Sequence, residues 1–103
     1  MNHEQLLQTM QHTPFPERMA GFERTRSPQD PQPLAGGGWL IVEYKHLSED
    51  VRFQVLIEQT GEAALQVQQD GHVTPLQRMS VEEAGHVLRR DLLMILEEIE
   101  DEL

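Results

Sequence analysis

From Trp39 to Leu76 apolar and polar residues alternate through four runs, WLIVEYKH, VRFQVLIEQ, AALQVQQ and HVTPL, the first three each followed by a turn-forming stretch. Alternation of period 2 puts successive side chains on opposite faces of a pleated strand. Loop length then fixes which residues pair. A four-residue LSED loop sets Tyr44 opposite Phe53, Val42 opposite Val55 and Leu40 opposite Ile57. A three-residue TGE loop sets Ile57 opposite Leu65 and Val55 opposite Val67. The pair Asp70-Gly71 suits a type I′ turn, which sets Leu65 opposite Leu76 and Val67 opposite Thr74. All three registers gather one apolar set on one face, and this agreement predicts an antiparallel β-meander of three to four strands. Pro75 has no amide N–H to donate and belongs on an edge, which suits the last strand.

The apolar face needs a cover. Ser80 and Glu83 form an S-x-x-E capping box, after which Val81, Gly85, Leu88, Leu92, Ile95 and Ile99 recur at spacings of three and four. This predicts a long C-terminal helix across the sheet, with Gly85 allowing close approach. The run LLMIL at 92–96 surrounds that helix and leaves Leu93 and Leu96 off the stripe, so both need burial of their own.

Ahead of the sheet, residues 1–27 read as a short helical N-terminal arm and residues 28–38 as a Pro/Gly-rich linker, with the α+β core domain at 39–103. Leu6, Leu7 and Met10 share one helical face, as do Phe15, Met19 and Phe22, with Glu17 early and Arg24 and Arg26 late. The face of the sheet away from the helix carries Trp39, Ile41 and Leu56 among polar neighbours, a candidate contact patch. Either the arm docks there with Phe15, Met19 and Phe22, or those three residues anchor it in the groove of another protein.

The formal charge is −10, and it is uneven: the net is −1 over residues 1–38, −3 over 39–79 and −6 over 80–103. Such a balance repels phosphate backbones and anionic lipid, so direct binding of nucleic acid or of a membrane is not expected. Glu97, Glu98, Glu100, Asp101 and Glu102 crowd the negative end of the helix dipole, where only Arg89 and Arg90 can compensate. Two copies of the helix packed antiparallel about Leu93 would set Arg89 near Glu97 of the second copy, bring Arg90 within a turn of Glu97, and bury Leu93 and Leu96. A C2 homodimer of this kind meets both oddities, and leaves Glu100, Asp101 and Glu102 for a partner with a basic surface.

Catalytic signatures are thin. No cysteine is present, which excludes disulfides and thiolate chemistry and favours a cytoplasmic location, as does the absence of an apolar segment near the start. GGG before Trp39 lacks the lysine of a phosphate loop. Glu83 and His86 form a single E-x-x-H, with Glu82 also one turn from His86, but His3, His12, His46 and His72 stand apart, so neither a metal nor another cofactor is expected. Ser27, Ser48 and Ser80 fall in linker, turn and cap with no base beside them. The sequence therefore reads as a non-enzymatic interaction protein of adaptor, chaperone or inhibitor type. Its alternatives are an acidic decoy whose carboxylates imitate phosphates on a basic protein site and, third, a metal-dependent enzyme at Glu83 and His86.

Overall fold

The computed structural model describes residues 13–103. Among the described residues it is an α+β arrangement of one antiparallel sheet and one helix. The strands are β1 (Arg18–Met19), β2 (Phe22–Arg26), β3 (Gln32–Pro33), β4 (Trp39–His46), β5 (Val51–Ile57), β6 (Ala63–Gln69) and β7 (His72–Met79), followed by helix α1 (Val81–Asp101). The spatial order is β1-β2-β4-β5-β6-β7, and β3 pairs with β4 beside β2.

Seven strands replace the expected meander of three to four. The extra ones come from residues assigned to the arm and linker. Phe15, Met19 and Phe22 have helical spacing, but Ala20 and Gly21 both adopt positive φ, 51° and 79°, and close a two-residue hairpin that pairs Met19 with Phe22. Backbone of that hand ends a helix, and β2 instead pairs with the open edge of β4, with Phe22 opposite His46 and Arg24 opposite Tyr44. Among the described residues there is thus no N-terminal helix, and the helix expected over residues 2–12 lies outside them. The Pro/Gly stretch is held to the sheet as well. Gln32 and Pro33 pair with Leu40 and Trp39, and the Leu34 and Gly38 backbones hydrogen-bond across the turn between them at 3.1 Å.

The core lies between sheet and helix. Phe22, Ile41, Val42, Tyr44, Val51, Phe53, Val55, Ile57 and Leu65 meet Leu88, Leu92 and Leu96, with Phe15 at one side. The expected pairs Val42 with Val55 and Tyr44 with Phe53 are present, but a β-bulge between Leu40 and Val42 shifts the start of β4, so that Leu40 faces Leu56 and Trp39 faces Ile57. An extra residue reverses the parity of everything before it. Ile41 therefore falls in the core, fully buried, and Trp39 packs against the core from its margin. The patch of Trp39, Ile41 and Leu56 does not form. Leu40 and Leu56 are what remain on the face away from the helix.

The next loop is three residues long but sits one residue earlier than expected. Gly61, at φ 93°, occupies its third position, and Glu58 and Glu62 close it through a 2.8 Å backbone hydrogen bond. Such loops need a left-handed third residue, which glycine supplies. The pairs become Val55 with Leu65 and Ile57 with Ala63, and the apolar face is unchanged because the register moved by two. The Asp70-Gly71 turn has the expected form, with φ 51° and 84° and Val67 opposite Thr74. Beyond Pro75 a second bulge makes Leu76 the extra residue, so Leu65 faces Gln77.

Helix α1 starts as expected: Ser80 Oγ accepts the Glu83 N–H at 3.1 Å. Its buried side is Val81, Ala84, Gly85, Leu88, Leu92 and Leu96, with Ile95 and Ile99 half-buried. Leu96 is wholly enclosed in the core of its own chain, which removes it from the expected dimer contact. Gly85 admits a neighbour other than the sheet, since a Cβ there would lie 3.4 Å from Thr13 Oγ1. No described helix is long and apolar enough to cross a membrane.

Candidate protein-interaction groove

A mismatch of widths creates the site. The five strands from β2 to β7 spaced ~4.8 Å apart span about 19 Å, whereas one helix is about 10 Å across. Toward β2 and β4 the difference is made up by the segment before β1. Phe15 enters the core there, the Arg24 guanidinium donates to the Phe15 carbonyl, and Tyr44 Oη donates to the Pro16 carbonyl at 2.6 Å. Over β6 and β7 no described segment plays that part. A groove of about 320 Å³ results, floored by Leu65, Val67 and Leu76 and walled by Ile95, Ile99 and Leu103. Gln69, Thr74 and Gln77 line it from the sheet, and Glu98 and Glu102 from the helix. Leu76 is 48% exposed, on a strand that is exposed from His72 to Arg78.

The charge in the groove has one sign. Glu98 lies in the last turn of α1 and Glu102 caps its end; that turn holds no basic residue, and its carbonyls form the negative end of the helix dipole. Glu100 points to the other side, where its Oε2 lies 3.5 Å from His46 Nε2, and Asp101 is exposed. Among the acids offered to a basic partner, Glu102 thus belongs to the groove and Glu100 does not.

The remaining candidates separate as follows. Phe15 and Phe22 are in the core and Met19 packs against it, so these three anchors serve the chain's own interior. Leu93 is 50% exposed beside exposed Arg89 and Glu97, whereas Arg90 already makes a fork of hydrogen bonds to Asp91 at 3.0 and 3.1 Å. Glu83 and His86 are exposed, and among the described residues no three His, Asp or Glu side chains gather in a way that could hold a metal ion.

The middle of the sheet face opposite the helix carries a polar network. Glu43, 8% exposed, accepts from Thr25 Oγ1 and Gln54 Nε2 at 2.7 Å each and from Arg52 at 3.1 Å. Burial pushes its carboxyl up, but the hydrogen bonds from Gln54 and Thr25 and the charge of Arg52 outweigh that and hold it below the ordinary value. Gln66 Nε2 donates to Gln54 Oε1 at 2.8 Å and extends the network. Satisfied groups of this kind stiffen a surface and leave little for a ligand.

Sequence reasoning missed the groove. Its signal is a count of strands against helices, and that count depended on reading residues 18–26 as strands. No protein-family model matches the chain, and comparison with curated proteins and with solved structures finds no match.

Proposed function

We propose that this chain is a non-enzymatic interaction protein that acts in the cytoplasm and takes up part of another protein in the groove between α1 and β6–β7. The observation that carries this reading is apolar side chains left accessible on the core face of the sheet, Leu76 foremost, in a concave setting with polar edges. Concave apolar sites with a few convergent polar groups are where proteins bind ligands. A photo-crosslinking residue placed at Leu76 in the source cell should give a discrete adduct with another protein, and one placed at exposed Lys45, on the opposite face, should not. No adduct from position 76, or the same adducts from both positions, would refute the reading.

Exposed Leu93 supports a second reading, the homodimer through antiparallel helices, now resting on Leu93, Arg89 and Glu97 without Leu96. Sedimentation of wild type against Leu93→Glu tests it. An acidic decoy is separated from both by salt, since its binding would weaken steeply as ionic strength rises.

A further inference from the structure

We infer that the groove's occupant is a basic amphipathic helix from another protein, lying beside α1 with its apolar stripe on Val67 and Leu76 and its lysines or arginines toward Glu98 and Glu102. The inference rests on the groove being the binding surface and says what kind of chain fills it.

Three observations select this occupant. The first is the edge of the sheet. In the two-residue hairpin the pair Gln69 with His72 is hydrogen-bonded, and alternation along the ladder then turns Val73 and Pro75 outward. Pro75 has no N–H to offer an added strand, and the bulge at Leu76 breaks the ladder one residue later. An incoming segment therefore meets side chains rather than a strand edge. The second is width. The uncovered part of the core face lies alongside α1, and the missing cover is one more element in the helical layer.

The third is charge. Glu98, Glu102 and the dipole end of α1 favour cations at that end of the groove. A second copy of this chain supplies them poorly, because five of its eight Lys and Arg are already engaged: Arg24 with the Phe15 carbonyl, Arg26 with Asp30, Arg52 with Glu43, Arg78 with Glu58 and Arg90 with Asp91. The chain's own first 12 residues contain no Lys or Arg at all. A foreign basic helix meets both requirements.

The test uses the full chain, labelled for backbone NMR, and a helical peptide with leucines at i, i+3, i+4 and i+7 and lysines on its other positions. The peptide should move the amide resonances of β6, β7 and the last turns of α1. Leu76→Asp should weaken binding at least about tenfold, the factor that corresponds to ~1.4 kcal/mol of lost burial. Glu98→Lys with Glu102→Lys should weaken it further and should admit a peptide with glutamates in place of the lysines. The inference is overturned if the shifts map elsewhere, if a peptide with alanine for leucine binds as well, or if one broken by a central proline does. It is equally overturned if the same resonances move with protein concentration alone, which would make the occupant a second copy. Removal of residues 1–12 raising peptide affinity about tenfold would make them the occupant and overturn it too. Each of these failures leaves the adduct from position 76 free to appear, so the proposed function stands or falls separately.

Discussion

His46 at the end of β4 turns its Nε2 to within 3.5 Å of Glu100 Oε2 near the end of α1. Its Nδ1 accepts the backbone N–H groups of Ser48 and Glu49 at 3.2 and 3.1 Å, and its ring meets Phe22 edge-on with centroids 5.0 Å apart. One imidazole thus joins the β4–β5 loop, the β1–β2 hairpin and the acidic helix end. His46→Ala should lower stability by about 1–2 kcal/mol through the loop acceptor and the ring contact. Glu100→Gln should cost under about 0.5 kcal/mol, because the Glu100 side chain is 45% exposed and screened by solvent. Urea unfolding of both variants checks this, and equal costs would make the charge pair the main contribution.

The bulge in β4 predicts which of two neighbouring positions is sensitive. Ile41→Ala should cost about 2–4 kcal/mol as a core truncation, and Leu56→Ala, half-buried on the opposite face, about 1 kcal/mol. Denaturant midpoints with a common slope would report the difference. Similar small losses at both positions would mean that Ile41 and Leu56 share the outer face.

Thr13 is 5% exposed, and its hydroxyl has no hydrogen-bond partner among the described residues. A buried hydroxyl without a partner is destabilising, so Thr13→Val should raise stability by roughly 1 kcal/mol, and Thr13→Ser, which keeps the hydroxyl, should not. Thermal melting of the two variants distinguishes them. A loss with Val would show that the oxygen is satisfied in solution.

Two titrating groups give stability opposite slopes with pH. The Glu43 carboxyl is held below its ordinary 4.5, so its contribution is complete above that value and is lost as pH falls through the folded value. Glu43→Gln should flatten the acid limb of the stability profile. Burial pushes the Tyr44 phenol up to about 12 from 10.0 against the nearby charge of Arg24. The folded state then holds that proton more tightly than the unfolded one, and stability falls as pH rises from 10 to about 12. Tyr44→Phe should remove this alkaline limb while losing the hydrogen bond to Pro16 at every pH. Urea midpoints across both ranges provide the measurement.

Leu93 and Leu96, equivalent by composition, should behave oppositely. Leu96→Glu places a charge in the core and should unfold the chain, at a cost above about 4 kcal/mol. Leu93→Glu should leave stability within about 0.5 kcal/mol and, on the homodimer reading, weaken self-association as read by sedimentation.

Local chemistry in the sequence determined the elements from Trp39 onward. Alternation gave β4 to β6 and the start of β7, Asp70-Gly71 gave its turn, and Ser80 with Glu83 gave the start of α1, because each depends on contacts within a few residues. The misplaced loop at Gly61 cost nothing in face assignment, since a shift of two preserves parity.

Tertiary structure decided whatever depended on a distant partner. Residues 18–26 carry a helical spacing of apolar positions and become strands because β4 has an edge to be paired, a demand that exists only once the sheet has formed. The bulges at Ile41 and Leu76 each insert one residue into a ladder, a change of pairing that depends on the neighbouring strand. The groove follows from the same cause at larger scale. How much of a sheet one helix leaves uncovered is set by how many strands assemble beneath it, and that number is a property of the whole fold rather than of any segment.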